Sequence, residues 1–221
     1  YITMSDSDIE SKLTWLKTFP NHPQRTADWY AQRHNLFSAS NLWKLFGTQS
    51  QYNSLIYEKC NDVKKVEFEG DVLTPNARNW GVKYEPVSVM VYEHKYDTIV
   101  NSNYGCIPHS SLPIGASPDG INEKPQHPKY GRMLEIKNIF NREITGIPKL
   151  EYWVQMQMQM EATESEKCYF FNYYVEKGIQ FWHEIIVNRD EEMIKLMLNR
   201  IDQASEIRDD YVVKLTKNAQ W

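Results

Sequence analysis

The sequence predicts an α/β fold in which helices form an N-terminal layer, a mixed β-sheet lies at the centre, and a further helix follows the sheet. Apolar residues recur at helical spacing in the first third and again from Glu191 to Arg208, whereas the middle holds short runs rich in β-branched and aromatic residues. A chain of 221 residues that is 41% hydrophobic can bury a sizeable core. Elements in this order favour a sheet covered by helices.

Three helices are expected within residues 1–60. The first runs from Ile9 to Leu16, and Ser5 is available to cap it. The second opens at Thr26, and the third opens at Ser38 and stops at Gly47, because glycine commonly ends helices. These segments make up the predicted N-terminal layer.

A longer helix is expected after Thr74-Pro75, because proline suits the first helical position, where its missing N–H costs little. Pro86 lies inside this helix, removes one backbone hydrogen bond and should bend the helix beside Glu85. The apolar residues expected to share one face are Ala77, Trp80, Tyr84, Val87 and Val91.

Short β-type runs predict the strands of the sheet. They extend from Asp97 to Val100, from Ile114 to Ile121 and from Met133 to Ile139. The segment from Tyr169 to Val187 predicts a β-hairpin around a Lys177-Gly178 turn, because aromatic and β-branched residues flank that pair.

The segment from Tyr152 to Glu161 is ambiguous. Its polar and apolar residues alternate with period two, which is typical of a strand. Its Gln, Met and Glu residues, however, favour helices and disfavour strands. We therefore predict a helix, on which Tyr152, Gln155 and Gln159 share a face.

Composition restricts the class of protein. The chain has 25 basic and 29 acidic residues, a net charge of −4, which excludes a histone-like polycation but leaves room for a local basic groove. Its three widely spaced cysteines argue against a disulfide framework. We find no apolar run long enough to span a membrane and no signal peptide, and we interpret Tyr1 as a truncated start. We expect a soluble, reduced, intracellular protein.

The residues that best support catalytic chemistry lie in a turn and in the strand that follows it. Ser117-Pro118-Asp119-Gly120 has the composition of a tight turn at a strand end. In the strand that follows, Glu135 and Lys137 are two residues apart and therefore project to the same side. Two carboxylates and an ammonium group can thus converge on one point.

This constellation suits phosphodiester hydrolysis by a hard cation. The carboxylates of Asp119 and Glu135 would hold Mg²⁺, and the Ile136 carbonyl could supply another oxygen. The Lys137 ammonium would orient the attacking water and stabilise charge on the phosphate. The alternative from the residues alone is a plain Pro-Asp-Gly turn beside an exposed Glu-x-Lys pair.

Pro118-Asp119 followed by Glu135-x-Lys137 resembles the signature of the PD-(D/E)xK nuclease superfamily. The surrounding sequence resembles the lambda-exonuclease branch of this superfamily, the YqaJ-like viral recombinase family, and in particular the members found in large DNA viruses. The resemblance covers about residues 24 to 187, and its further motifs are Asp28-Trp29-Tyr30-x-x-Arg33, Ser38-Ala39-Ser40, Gly81-x-x-Tyr84-Glu85-Pro86, Gly115 to Gly120 and Tyr152-x-x-Gln155-x-Gln157.

The resemblance implies a restriction-endonuclease-like α/β core, with a central mixed β-sheet flanked by helices and a helical N-terminal layer. We expect a single nuclease domain over residues 1–221, with the helical layer at 1–60, a catalytic core at 74–187 and a C-terminal helix at 189–208. The implied activity is that of a DNA exonuclease that depends on Mg²⁺, with Mn²⁺ as a substitute for Mg²⁺. It would degrade one strand of a duplex from an end, 5′ to 3′, in recombination or repair.

The resemblance also implies partners. The best-known members act on double-stranded DNA ends, form ring-shaped homotrimers and work beside a single-strand annealing protein. We accordingly expect duplex DNA ends, a homotrimer and an annealing protein as partners, and no membrane. Two rivals stay open: a structure-specific or end-processing endonuclease with the same site, and a non-catalytic scaffold that binds DNA ends.

Residue roles carry over by position. Asp119 and Glu135 would be metal ligands, Lys137 the catalytic lysine and Glu85 the upstream acid that completes a second metal position. Gln155 would orient substrate or water near the metals. From the residues alone, Gln155 could equally be exposed to solvent, and Glu85 could lie on a solvated face.

Phosphate contacts are expected at two places. Arg33 and Ser40 match the phosphate-binding motif of the family, since a planar guanidinium and a hydroxyl can grip one phosphate; Arg33 could otherwise form a surface salt bridge. Between Lys124 and Lys149, six basic residues stand against two acidic ones, and Arg132 and Arg142 are the expected DNA contacts there. The alternative for this window is a solvated loop.

Two departures narrow the subtype. Some helicase-associated members of the superfamily pair the motif glutamine with a tyrosine four residues later, and this chain has Gln159 there. Iron–sulfur nucleases of the superfamily need four cysteines, and this chain has three. We therefore expect no iron–sulfur cluster.

Overall fold

The computed structural model describes residues 4–23, 26–61, 77–140 and 144–218. Its helices are α1 (Asp6–Leu16), α2 (Ala27–His34), a 3-10 helix (Ala39–Phe46), α3 (Gln49–Cys60), α4 (Ala77–Tyr96), α5 (Leu150–Ala162) and α6 (Glu191–Asn218). Its strands are β1 (Phe37–Ser38), β2 (Val100–Asn101), β3 (Ile107–Pro108), β4 (Ile114–Ala116), β5 (Gly120–Asn122), β6 (Met133–Asn138), β7 (Lys167–Glu176) and β8 (Ile179–Asn188).

Side-chain caps start the N-terminal helices where the sequence predicts them. The Ser5 hydroxyl accepts from the Asp8 amide at the start of α1, and the Thr26 hydroxyl accepts from the Trp29 amide at the start of α2. Thr48 and Gln51 form a capping box that starts α3, a helix that was not predicted from the sequence. The predicted Thr74-Pro75 start lies outside the described residues.

The strands form two sheets. In the five-stranded sheet the order is β2-β5-β6-β7-β8, with β6 and β7 parallel and the other neighbours antiparallel. The parallel pair needs a crossover, and α5 supplies it. The smaller sheet has the order β1-β4-β3. The mixed α/β fold with a helix-flanked sheet is thus as predicted, and so is the β7–β8 hairpin.

Helices cover both faces of the larger sheet. On one face Tyr92 of α4 packs with Leu134, Ile136 and Phe171. On the other face Met156 and Met160 of α5 pack with Met133, Cys168 and Phe170, while Val154 and Met158 of α5 face the core of the N-terminal layer. Because α5 is buried between the sheet and that layer, it needs apolar residues on both sides.

Several predicted bounds are wrong. The strand expected from Asp97 is shorter, because α4 continues to Tyr96 and Asp97 has a left-handed backbone (φ 48°), so that β2 starts only at Val100. On α4 the buried residues Ser88 and Tyr92 replace Val87, which is 38% exposed. The last helix extends beyond Arg208 to Asn218. Among the described residues, no helix is long and apolar enough to cross a membrane.

Candidate active site

The turn Ser117–Asp119 carries the chain from the smaller sheet into the larger one, because it joins β4 to β5. Gly120 begins β5 opposite Leu134, and a Cβ at this glycine would lie 2.4 Å from Val100 Cγ1. The close approach of β2 therefore requires glycine directly after Asp119. The Asp119 carboxylate then reaches β6, where its Oδ2 accepts a hydrogen bond from the Ile136 amide at 2.7 Å.

Strand β6 presents Glu135 and Lys137 together. The Lys137 ammonium donates to the Glu135 carboxylate, whereas Leu134 and Ile136 pack on the opposite face, as the period-two alternation predicts. The Glu135 side chain is 1% exposed and that of Lys137 is 24% exposed. A buried carboxylate is costly unless it is paired, and these contacts supply the pairing.

Two glutamines of α5 complete the surroundings of Glu135. Gln155 Nε2 donates to Glu135 Oε1 at 2.8 Å, and Gln159 Nε2 donates to Glu135 Oε2 at 3.0 Å. The predicted helical face thus forms, and Tyr152 on the same face has its ring centroid 5.1 Å from Lys137 Nζ. The sequence analysis singled out Gln155 and assigned no contact to Gln159. The shared face was the signal that pointed to both.

A cavity of about 490 Å³ opens beside the Ser117–Asp119 turn. Asp119 and Glu85 line it together with Arg33 and Trp29 of α2. The Arg33 guanidinium lies 4.7 Å from the Trp29 ring centroid, and burial lowers its pKa. The cavity therefore has a cationic side and an acidic side.

Three carboxylates and one ammonium leave the site with excess negative charge. Burial, followed by repulsion from Glu135, raises the pKa of Asp119 well above its ordinary value, and the same two causes raise the pKa of Glu85. Burial alone would lower the pKa of Lys137, but the carboxylates of Glu135 and Asp119 outweigh it and raise this pKa. A cation bound here would relieve the repulsion.

The oxygen donors fit a hard divalent cation. Within the described ranges no three acidic, imidazole or thiol side chains form a complete metal cage. Mg²⁺ needs none, because it commonly binds through one or two carboxylates, waters and substrate phosphate oxygens. In a strand the N–H and C=O of one residue point to the same edge. The Ile136 carbonyl therefore points to the edge where its amide meets Asp119.

Other predicted phosphate contacts lie elsewhere. The Arg132 guanidinium pairs with Glu166 at 2.5 Å, and its side chain is 14% exposed. Ser40 is exposed, has its Oγ 3.5 Å from Ser38 Oγ, and is not among the residues that line the cavity with Arg33. Arg142 lies outside the described residues. Arg33 thus lines the cavity together with Asp119 and Glu85, whereas Arg132 and Ser40 are not among the lining residues.

The basic window is largely neutralised by ion pairs, three of them with acidic residues outside the window. Lys124 pairs with Asp97, Lys129 with Glu184, Arg132 with Glu166 and Lys137 with Glu135. Lys149 is exposed at the start of α5. The local charge count therefore does not translate into an equally basic surface.

Another cavity, of about 680 Å³, is lined by Trp15, His109, Glu161 and Arg189, among others. Within it Glu161 contacts both His109 and Arg189. It contains none of the residues predicted to act in catalysis.

Comparisons with solved structures show proteins of similar fold. The fold resembles the crystal structure of an alkaline exonuclease from Laribacter hongkongensis, with a TM-score of 0.71 and 23% identity over 88% of this chain and 98% of that one. A phage-related exonuclease from Haemophilus somnus gives a TM-score of 0.61 and 14% identity, covering 84% of this chain and 99% of that one. At these identities the likeness concerns the fold.

The sequence comparisons identify the family. An uncharacterised protein of Acanthamoeba polyphaga mimivirus is 29% identical over 175 residues, which are 72% of this chain and 31% of that protein. The chain thus spans about a third of the length of this relative. The family model of the YqaJ-like viral recombinase domain matches residues 28–166, which include Arg33, Glu85, Asp119, Glu135 and Lys137. The chain belongs to the YqaJ-like viral recombinase domain family.

Proposed function

We propose that this chain is a Mg²⁺-dependent deoxyribonuclease that hydrolyses DNA from duplex ends, 5′ to 3′, in recombination or repair. One observation carries the proposal: Asp119, whose carboxylate is bonded to β6 beside the buried Glu135–Lys137 pair, lines a cavity together with Arg33 and Glu85. Family membership and the fold shared with an alkaline exonuclease support it.

The acidic residues would hold the cation. Asp119, Glu135 and the Ile136 carbonyl would bind one Mg²⁺. Glu85 would complete a second metal position, and Mn²⁺ would substitute for Mg²⁺. A bound Mg²⁺ supplies Lewis-acid stabilisation of the phosphate and lowers the pKa of bound water. Gln155 and Gln159 hold the Glu135 carboxylate in one orientation. The Asp119 carboxylate is held by the Ile136 amide.

Lys137 and Arg33 would act on substrate groups. The Lys137 ammonium, fixed by Glu135, would orient the attacking water and stabilise negative charge that develops on the phosphate. The Arg33 guanidinium, held against Trp29, would bind the terminal 5′-phosphate. Arg142 stays a proposed DNA contact, whereas we assign no DNA contact to Arg132 because Glu166 neutralises it.

Assembly and partners follow from the same family. We propose a homotrimer that works beside a single-strand annealing protein at DNA ends. The edge strand β8 exposes Ile179, Trp182 and Ile186, and exposed apolar edges favour association with another chain. Light scattering of the purified protein measures the stoichiometry, and a monomer at micromolar concentration would contradict the trimer.

A substrate comparison separates the proposed exonuclease from its rivals. Linear and covalently closed circular duplexes of the same sequence are incubated with the protein in Mg²⁺. An exonuclease releases mononucleotides from the linear duplex and leaves the closed circle intact. A structure-specific or end-processing endonuclease releases oligonucleotides instead. A scaffold binds linear ends and cuts neither. Cleavage of the closed circle at the rate of the linear duplex would contradict the proposal.

A further inference from the structure

Gln159 joins the two segments that carry the acidic residues of the candidate site. Its Nε2 donates to the Ser117 carbonyl at 3.1 Å and to Glu135 Oε2 at 3.0 Å. One amide group therefore bridges the turn that leads to Asp119 and the strand that carries Glu135. The Gln159 side chain is buried, with the residue 1% exposed, so it reaches neither solvent nor DNA.

The backbone ladder does not fix this turn. The β5–β6 pairing consists of Gly120 with Leu134 and Ile121 with Met133, and the turn precedes it. Two side-chain cross-links then hold the turn against β6: the amide of Gln159, and the bond from the Ile136 amide to Asp119. The second uses an oxygen of a proposed metal ligand. The first leaves the Asp119 carboxylate untouched.

Only the NH₂ half of the Gln159 amide is hydrogen-bonded. Among the described residues, the buried Gln159 Oε1 has no hydrogen-bond partner. Leaving a buried amide oxygen unpaired is unfavourable. A methionine of similar shape could not donate hydrogen bonds to Ser117 and Glu135. The two bonds of the NH₂ group therefore indicate what an amide at position 159 contributes.

We propose that Gln159 is a positioning residue, which fixes the Ser117–Asp119 turn relative to Glu135 and so keeps the acidic residues together for cation binding. The proposal rests on the proposed metal-dependent function. Asp119 and Glu135 repel one another, and without the bridge the turn can move away from β6. The predicted consequence is weaker metal binding, since a preorganised ligand set binds more tightly than a mobile one.

Gln157 provides a matched control on the same helix. It is 0% exposed, its Nε2 donates to the Asn188 carbonyl at 2.9 Å, and its Oε1 accepts from the Asp190 amide at 2.9 Å. Residue type, burial and number of contacts match those of Gln159, but the contacts go to the β8–α6 connection. A loss caused by general damage to α5 would therefore affect both positions.

The experiment measures Mn²⁺ binding without DNA, by the paramagnetic resonance signal of the free ion, for wild type, Gln159→Met, Gln159→Asn and Gln157→Met. Loss of hydrogen bonds of this kind should raise the Mn²⁺ dissociation constant of Gln159→Met about ten- to hundredfold. Asn is one methylene shorter and reaches one partner only, so its loss should be smaller. Gln157→Met should lower the melting temperature in EDTA and keep Mn²⁺ affinity within about twofold of wild type.

Each outcome decides a different claim. Mn²⁺ affinity of Gln159→Met within about twofold of wild type, or an equal loss in Gln157→Met, would overturn the positioning role and leave the proposed function standing. Absence of Mn²⁺ binding by the folded wild type would overturn both. If Gln159→Met does not fold, Gln159→Asn is compared with wild type by the same criteria.

Discussion

Asp119 Oδ2 accepts a hydrogen bond from the Ile136 amide at 2.7 Å, which joins a turn that enters the larger sheet to the middle of its neighbouring strand. The bond places the Asp119 carboxylate beside Glu135, the residue before Ile136, and brings Lys137 to the same place. The bond to Asp119 lies at the edge of β6, and the side chains of Glu135 and Lys137 project from one face of that strand. The three charged groups therefore share one small volume.

Asp119→Ala should abolish hydrolysis and leave the fold and DNA-end binding largely intact. Asp119 lines the cavity, and loss of its carboxylate removes cation binding rather than core packing. Turnover on a linear duplex in saturating Mg²⁺ measures the effect, with circular dichroism melting and end-binding anisotropy as controls. Retention of more than a few per cent of the wild-type rate would contradict the assignment of Asp119 as a metal ligand.

Lys137→Met should lower turnover about 100-fold or more at saturating Mg²⁺, as expected when a group that stabilises transition-state charge is removed. Affinity for the cation should not weaken, because an ammonium is not a ligand. Single-turnover kinetics and calorimetric Mg²⁺ titrations of both proteins separate the two effects. Should Mg²⁺ binding be lost, and turnover return at high Mg²⁺, the role of Lys137 is structural.

Arg33→Ala should abolish a preference for 5′-phosphorylated ends. A terminal phosphate monoester carries more negative charge than an internal diester. The Arg33 guanidinium, held against Trp29, should therefore bind the monoester more strongly. Wild type should cut 5′-phosphate ends about ten- to hundredfold faster than 5′-hydroxyl ends. Arg132→Ala is the control, since Arg132 pairs with Glu166 and should keep the preference. Equal wild-type rates on both ends would remove Arg33 from the site.

Mg²⁺ should reverse the pH dependence of stability. Burial and repulsion raise the pKa of both Asp119 and Glu85, so the folded state binds protons more tightly than the unfolded chain. In EDTA, stability from these groups is present below the ordinary carboxyl pKa, about 4, and is lost as pH rises through the folded-state pKa. Mg²⁺ binds the deprotonated form, so its stabilisation should grow over the same range.

Melting temperatures in EDTA and in Mg²⁺ across a pH series measure this reversal. The double variant Asp119→Asn, Glu85→Gln is the control and should lose both trends. A wild-type protein whose Mg²⁺-induced shift in melting temperature is constant with pH would contradict the coupling between protons and the cation.

Lys129→Met should destabilise the fold and leave DNA affinity unchanged. The Lys129 ammonium pairs with both Glu184 oxygens at 2.9 and 3.0 Å and lies 3.3 Å from the Tyr169 ring centroid. Removing it leaves Glu184 in a mostly buried place, which should cost about 3 kcal/mol of unfolding free energy. Urea unfolding tests this.

The matched variant for Lys129 is Lys149→Ala, at an exposed position. It should keep stability and reduce the salt dependence of DNA binding if the strand passes α5. A Lys129→Met protein with wild-type stability and weakened DNA binding would contradict this prediction. It would indicate that the basic residues between 124 and 149 form a DNA-binding groove.

Local patterns predict part of this site, and long-range pairing determines the rest. Period-two alternation is enough to place Glu135 with Lys137, and turn composition to locate Asp119. The alternating glutamines of α5 look strand-like because that helix is buried on several sides, with Gln157 and Gln159 bonded in different directions. No local pattern indicates that Gln159 reaches Ser117, 42 positions earlier.

Charge is the property that a local count predicts least well. The window from Lys124 to Lys149 is basic in the sequence, yet the partners of Lys129 and Arg132 are Glu184 and Glu166, which the β6–β7–β8 pairing brings close. Similarly, helical spacing predicts the existence of α4 but not its buried residues, because the packing against β6 selects Ser88 and Tyr92.

The most direct test of the central claim is nucleotide release from a linear 5′-phosphorylated duplex in Mg²⁺ by wild type and by Glu135→Gln. This substitution keeps the shape of the side chain and removes the charge that the cation requires. We expect steady release by wild type, none from a closed circle, and none by a folded Glu135→Gln protein. Release by Glu135→Gln at the wild-type rate, or no release by wild type, would contradict it.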